Sequence, residues 1–148
     1  MTLPPLPTEA IVLGATAADW RGAVRLAADA LVASGAARPG YAGEMIRMIE
    51  EHGPYVVIAP GLALAHARPG PEVLADGLAI VTLAQPVAFG HPHNDPVRVV
   101  LGLAIKTPDE HLAAVAGIAN VFNDSTAIDD IAAATTAAEV QAIFAVTR

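Results

Sequence analysis

The stretch PYVVIAPGLALAHARPG, Pro54 to Gly70, decides the fold. Tyr55 to Ala59 is β-branched and aromatic, too short for a helix and closed off by Pro54 and Pro60, so it reads as a buried strand. Leu62 to Ala65 continues as an extended apolar segment, and His66 stands between it and the turn former Pro69. An imidazole in that position sits where the chain leaves a sheet, a usual place for site residues. It is a titratable imidazole among residues that otherwise look like core.

Outward from this stretch, strands and helices alternate. Leu78 to Leu83 and Val97 to Ile105 read as two more strands, and Ala10 to Leu13 as a short first one. The loop FGHPHNDP, Phe89 to Pro96, joins the two long strands and is rich in turn formers. A first helix is expected from near Thr16, with Trp20, Val24, Ala27 and Leu31 on one face and a stop at Ser34-Gly35. A second carries Tyr41, Met45, Met48, Ile49 and His52, and Gly53-Pro54 ends it because proline disfavours helical geometry in the residue before it. Thr107-Pro108-Asp109-Glu110 is the best-specified helix start: a Thr cap, Pro at the first position and Glu three residues after the cap. Leu112, Val115, Ile118, Ala119 and Phe122 are expected to form the buried face of that helix. Thr136-Ala137-Ala138-Glu139 is a second capping box, opening a final helix through Phe144. The pattern predicts an α/β fold: one three-layer domain over residues 9–148, with a small mixed β-sheet flanked by helices, preceded by a loose Pro-rich arm over residues 1–8.

The totals narrow the function. The length of 148 residues suits one domain. Although 54% of the residues are hydrophobic, runs such as Val99 to Ile105 fall far short of a membrane span. A net charge of −7 with no run of Lys or Arg argues against a nucleic-acid surface. With no cysteine, disulfides, thiolate catalysis and cysteine-ligated zinc are out. MTLPPLPTEA lacks the charged start and apolar region of a signal peptide, so a cytoplasmic location is expected.

The histidines each carry two readings. His66 is either a site residue or a partly buried ring satisfied by a backbone carbonyl. His111 lies in the first turn of a helix, where free N–H groups attract anions, or is a solvated helix-start residue. His91 and His93, with Asp95 as a third ligand, invite a metal reading that Pro92 and the missing fourth ligand weaken; the other reading is a polar loop. His52 suits the C-terminal end of a helix dipole. Arg68 is either a solvated residue or a forked clamp for phosphate or carboxylate.

Taken in order, Trp20-Arg21-Gly22-Ala23, Gly53-Pro54-Tyr55, Pro60 to Pro69, Phe89-Gly90, Asn94-Asp95-Pro96-Val97 and His111-Leu112 form an ordered set. From about Trp20 onward the chain resembles the mannitol/fructose-type enzyme IIA domains of the bacterial phosphoenolpyruvate-dependent sugar phosphotransferase system, most closely their ascorbate-type branch. The resemblance implies a phosphocarrier with no cofactor and no metal. His66 would accept a phosphoryl group from phospho-HPr and pass it to a cysteine of an enzyme IIB, while His111 would hydrogen-bond that group. The membrane would be met only through a IIC component. Two positions depart from the family. Ala65 stands where a proline usually precedes the active histidine, and the position near Glu51 is acidic where mannitol members have an arginine, so Arg68, ahead of Arg47, would supply the positive charge. Two other functions fit the residues: a regulatory protein of the same fold controlled by phosphorylation of His66, and a histidine-metal hydrolase using His91, His93 and Asp95.

Overall fold

A computed structural model of the chain describes residues 3–124 and 126–145. After a 3-10 turn at Thr8–Ala10 come β1 (Ile11–Ala15), α1 (Trp20–Ala33), α2 (Tyr41–His52), β2 (Val57–Ala59), β3 (Leu62–His66), β4 (Gly77–Val87), β5 (Val97–Ala104), α3 (Pro108–Val121), α4 (Ala127–Ala133) and α5 (Ala137–Ala145). The strands make one sheet in the order β1-β4-β5-β3-β2. β1 with β4 and β3 with β5 run parallel, whereas β4 with β5 and β2 with β3 run antiparallel, so the sheet is mixed. Every position from 77 to 83 and from 99 to 104 is buried. Consecutive buried residues point to opposite faces, so both faces are covered and the sheet is the middle of three layers. α1 packs on β4 and β5 with α2 against it, α4 also packs on β4 and β5, and α5 packs on β1. No helix among the described residues is long and apolar enough to cross a membrane.

Gly102 sets how close α1 lies to the sheet. A Cβ there would come within 3.1 Å of the Ala27 carbonyl oxygen and 3.2 Å of a Leu31 methyl. Thr82, buried, accepts the Gly14 N–H on its hydroxyl at 2.8 Å and so ties β1 to β4.

Four expectations need correction. Tyr55 to Ala59 is not a buried strand: only Val57–Ala59 is extended, as edge strand β2, and Ile58 is 44% exposed. The interior strand is β3, which follows after a two-residue turn at Pro60-Gly61 with Gly61 at φ +81°, a conformation that glycine takes without strain. α1 begins at Trp20, not near Thr16, because the Asp19 carboxylate caps it by accepting the Gly22 N–H at 2.9 Å. Residues 3–8 are not loose: Leu3 and Leu6 are buried, the Pro5 carbonyl accepts the Leu78 N–H, and the Leu6 carbonyl accepts the Gln141 amide. Finally, the face that α3 turns to the core is only partly the expected one: Ile118 is buried and Val115 and Phe122 pack partly buried against the core. Ala114, Gly117, Ile118 and Val121 are its buried residues, while Leu112 is 73% exposed and Ala119 is exposed too.

Candidate active site

His66 is the last residue of β3, held in register opposite Leu103 of β5. Its Nδ1 lies 2.7 Å from the Leu64 carbonyl oxygen, two residues back along the same strand. A carbonyl can only accept, so Nδ1 carries the proton and the lone pair of the neutral ring is left on Nε2. Burial pushes the imidazole below its ordinary pKa, opposed in part by the bond to Leu64. The neutral form therefore dominates at pH 7.

His111 reaches the same place from α3. Thr107 caps that helix, its Oγ1 accepting the Glu110 N–H at 3.3 Å, and Pro108 occupies the first turn as its pre-set φ allows. The inward stripe of α3 runs from His111 through Ala114 and Ile118 to Val121, so the ring is carried toward the sheet. The centroids of the His66 and His111 rings are 5.3 Å apart with the planes tilted by 42°. His111 is also held below its ordinary pKa, first by burial and then by the neighbouring His66.

Tyr55 stands edge-on to His66 at 5.6 Å and is itself in edge contact with His52, the last residue of α2. Burial pushes its phenol up and Arg68 pulls it down. A cleft of 460 Å³ opens over the two histidines, walled by Met48, Tyr55, Arg68, Pro69 and Pro108. A second cleft of 320 Å³ adjoins it and shares Met48, Arg68 and Pro69, with Glu44, Arg47 and Glu51 added. Arg68 stands on the ridge between the two, exposed and paired with no carboxylate among the described residues. Arg47 lines only the second cleft.

His66, His111 and Arg68 are thus brought together, and His91, His93 and Asp95 are not. The loop that carries them leads into the start of β5, whereas His66 pairs near the end of that strand. The six steps along the strand from Val97 to Leu103 span roughly 20 Å of extended chain. The loop residues have other partners as well. The Asp95 carboxylate accepts the N–H groups of Phe89, Gly90 and His91, and the His91 Nδ1 accepts those of His93 and Asn94. Two residues near the site had not been singled out. Tyr55 enters the sequence reading as part of a strand and of the Gly53-Pro54-Tyr55 motif, with no role at the site. Tyr41, read as part of a helix face, is fully buried with its hydroxyl among the backbone groups of Ala67 and Leu103. The signal available was that a buried tyrosine needs a partner for its hydroxyl.

Residues 5–146 match the family described as "Phosphoenolpyruvate-dependent sugar phosphotransferase system, EIIA 2". The chain belongs to this family. It is an EIIA phosphotransferase component, and the order of motifs from Trp20 to His111 was a true sign of it. The ascorbate-specific PTS system EIIA component of Escherichia coli strain K12 is 38% identical to it over 133 residues, 89% of this chain and 86% of that protein. Among solved structures, the mannitol IIA of Escherichia coli superimposes with a TM-score of 0.83 at 27% identity, covering 95% of this chain and 99% of that one. The mannitol IIA of Escherichia coli in complex with phosphorylated IIB gives 0.84 at 26% identity, covering 95% and 97%. The α/β fold of the chain is that of these mannitol-type proteins.

Proposed function

We propose that this EIIA serves the uptake of an ascorbate-like sugar, with His66 accepting a phosphoryl group from phospho-HPr and passing it to a cysteine of an enzyme IIB. The observation that carries this reading is the Nδ1–Leu64 bond, which leaves the Nε2 of a neutral ring as the nucleophile in a cleft shared with His111. The ascorbate-specific relative supports the substrate class, and the mannitol complex with phosphorylated IIB supports the acceptor.

In the first step the Nε2 lone pair attacks phosphorus. A P–N bond to His66 forms while the P–N bond to the donor histidine breaks, and the donor ring leaves with its electron pair. The proton stays on Nδ1, donated to the Leu64 carbonyl, and that bond favours the positive charge that the ring gains. In the second step a thiolate attacks phosphorus, a P–S bond forms while the P–N bond to His66 breaks, and its electron pair returns to Nε2. No metal is needed when the phosphoryl group arrives already activated, so alignment and charge stabilisation are what the protein supplies. Arg68 is the forked cation nearest in sequence to His66, and His111 is the neutral donor across the cleft. The protein works in the cytoplasm and meets the membrane only through a IIC component.

The test is incubation with phosphoenolpyruvate, enzyme I and HPr, followed by mass mapping. One acid-labile phosphate on the peptide containing His66 is expected, and none in His66→Ala. Wild-type labelling of that variant, or an acid-stable phosphate, would overturn the reading.

A further inference from the structure

Tyr41 opens α2 and is fully buried, and its hydroxyl stands where a backbone hydrogen bond belongs. The Leu64 N–H turns to the β2 side, donating to the Val56 carbonyl at 2.8 Å. Since these groups alternate along a strand, the N–H groups of Ala63, Ala65 and Ala67 turn to β5. With His66 in register with Leu103, the next rung of the parallel ladder would run from the Ala67 N–H to the Leu103 carbonyl. Instead the Ala67 N–H donates to the Tyr41 hydroxyl at 3.1 Å, and that hydroxyl donates to the Leu103 carbonyl at 2.8 Å. The Ala67 carbonyl is 3.2 Å from the same oxygen, but the hydroxyl has one proton and the shorter contact takes it. An oxygen is therefore inserted between β3 and β5, one residue past His66.

We propose that Tyr41 is a positioning residue for phosphoryl transfer: its hydroxyl takes the last rung, ends β3 at His66 and turns the chain so that Arg68 stands over the same cleft as His66 and His111. This rests on the reading of His66 as the phosphoacceptor. The same contact fixes the first turn of α2, whose Met48 walls that cleft. Burial pushes the Tyr41 phenol up to about 12, so the hydroxyl keeps its proton at any working pH. Ala65 fits the arrangement, because it lies buried inside β3 with its N–H turned to β5, a rung that a proline could not make.

The test is Tyr41→Phe, assayed with phospho-HPr at a temperature where unfolding curves show the variant fully folded. Removing the oxygen lets the rung close or leaves both backbone groups unpaired, and either shift moves Arg68. The maximal rate should fall about 10- to 100-fold, the scale of an ångström-sized misplacement. The KM for phospho-HPr should stay within twofold, since no surface group changes, and ring ¹⁵N shifts should still report the Nδ1–H tautomer of His66. A wild-type maximal rate, or a raised KM with the rate unchanged, would overturn the proposal. In the wild-type protein, the Tyr41 hydroxyl proton should be slow to exchange and show an NOE to the Ala67 amide. A fast-exchanging hydroxyl would overturn the inserted rung. That measurement does not depend on transfer: a wild-type protein left unlabelled at His66 would sink the phosphoacceptor reading, while the NOE would still report on the rung.

Discussion

The His66 and His111 rings meet at 5.3 Å although one ends a strand and the other opens a helix. Their closeness lowers the proton affinity of His111 beyond what burial does, and burial alone leads for His66. Protonated, the pair would place two like charges side by side in a partly desolvated cleft. Neutral, it offers a nucleophile and a hydrogen-bond donor.

This has a consequence for pH. Nucleophilic attack needs the neutral ring, so the acid limb of phosphoryl acceptance should lie below the ordinary histidine value of about 6.5. Stability should move in the same direction. Below pH 6.5 the unfolded chain takes up protons that the folded chain refuses, so stability falls with falling pH and levels off once the folded rings protonate. Rates measured from pH 8 to 5 and urea midpoints over the same range check both. An acid limb above 6.5 would contradict the burial argument.

Arg68 should act through its charge and its fork. At about 4 Å and an intermediate effective dielectric, a cation is worth roughly 4 kcal/mol to one negative charge. Arg68 is exposed, so solvent screens part of this. Arg68→Ala should slow phosphoryl acceptance by about 10- to 100-fold, at about 1.4 kcal/mol per tenfold. Arg68→Lys keeps the charge without the planar fork and should lose less. Wild-type rates in both variants would remove Arg68 from the mechanism.

Gly102 offers a test of the fold. Its missing side chain lets the backbone of α1 approach β5, and Gly102→Ala would press a methyl group onto the Ala27 carbonyl and the Ala79 side chain. None of these is the free end of a flexible side chain except a Leu31 methyl. Overpacking of this kind costs about 1–3 kcal/mol. A denaturant midpoint unchanged from wild type would show that α1 has room to shift.

How much was legible follows from which signals are local. Caps and glycine stops are local, so the Thr107 and Thr136 starts and the Gly53 stop were readable, and the structure realises all three. β3 was harder, because Leu-Ala-Leu-Ala has a weak strand preference. It is extended because it pairs with β5 on one edge and β2 on the other and is buried, which is a fact about tertiary structure. α4 went unread for a similar reason, since seven residues with two buried, Ala127 and Ile131, leave little periodicity to see. The inward face of α3 was misplaced at Leu112 and Ala119. Leu112 was favoured for the core because it is apolar, yet the spacing His111, Ala114, Ile118, Val121 makes an equally regular stripe. Hydrophobicity alone rejected His111 from that stripe, and a polar residue in an otherwise inward face was itself the sign of a site. Tyr41 was readable as part of the apolar face of α2, but the role of its hydroxyl was not, because its partners lie on β5 and just past β3.

His111 carries the last prediction. Thr107 and Pro108 fix where its helix begins, and the inward stripe of α3 then fixes which way its ring is carried. On the proposed reading the ring is a donor and not the nucleophile, and removing it leaves the Nε2 of His66 untouched. His111→Ala should therefore still be phosphorylated at His66. What it should lose is a donor to the phosphoryl group during transfer to IIB. Loss of one donor aimed at developing charge costs about 10²–10³ in rate, and less where solvent can substitute, as it can at a half-exposed ring. A slowing of about 10- to 100-fold in onward transfer is expected. Stability should change little, since the ring is only partly buried and stands at the start of its helix. Rapid-quench transfer to IIB, with unfolding curves on the same preparation, separates the two effects. An unchanged transfer rate in a stable variant would return His111 to a helix-start residue that happens to lie beside the site.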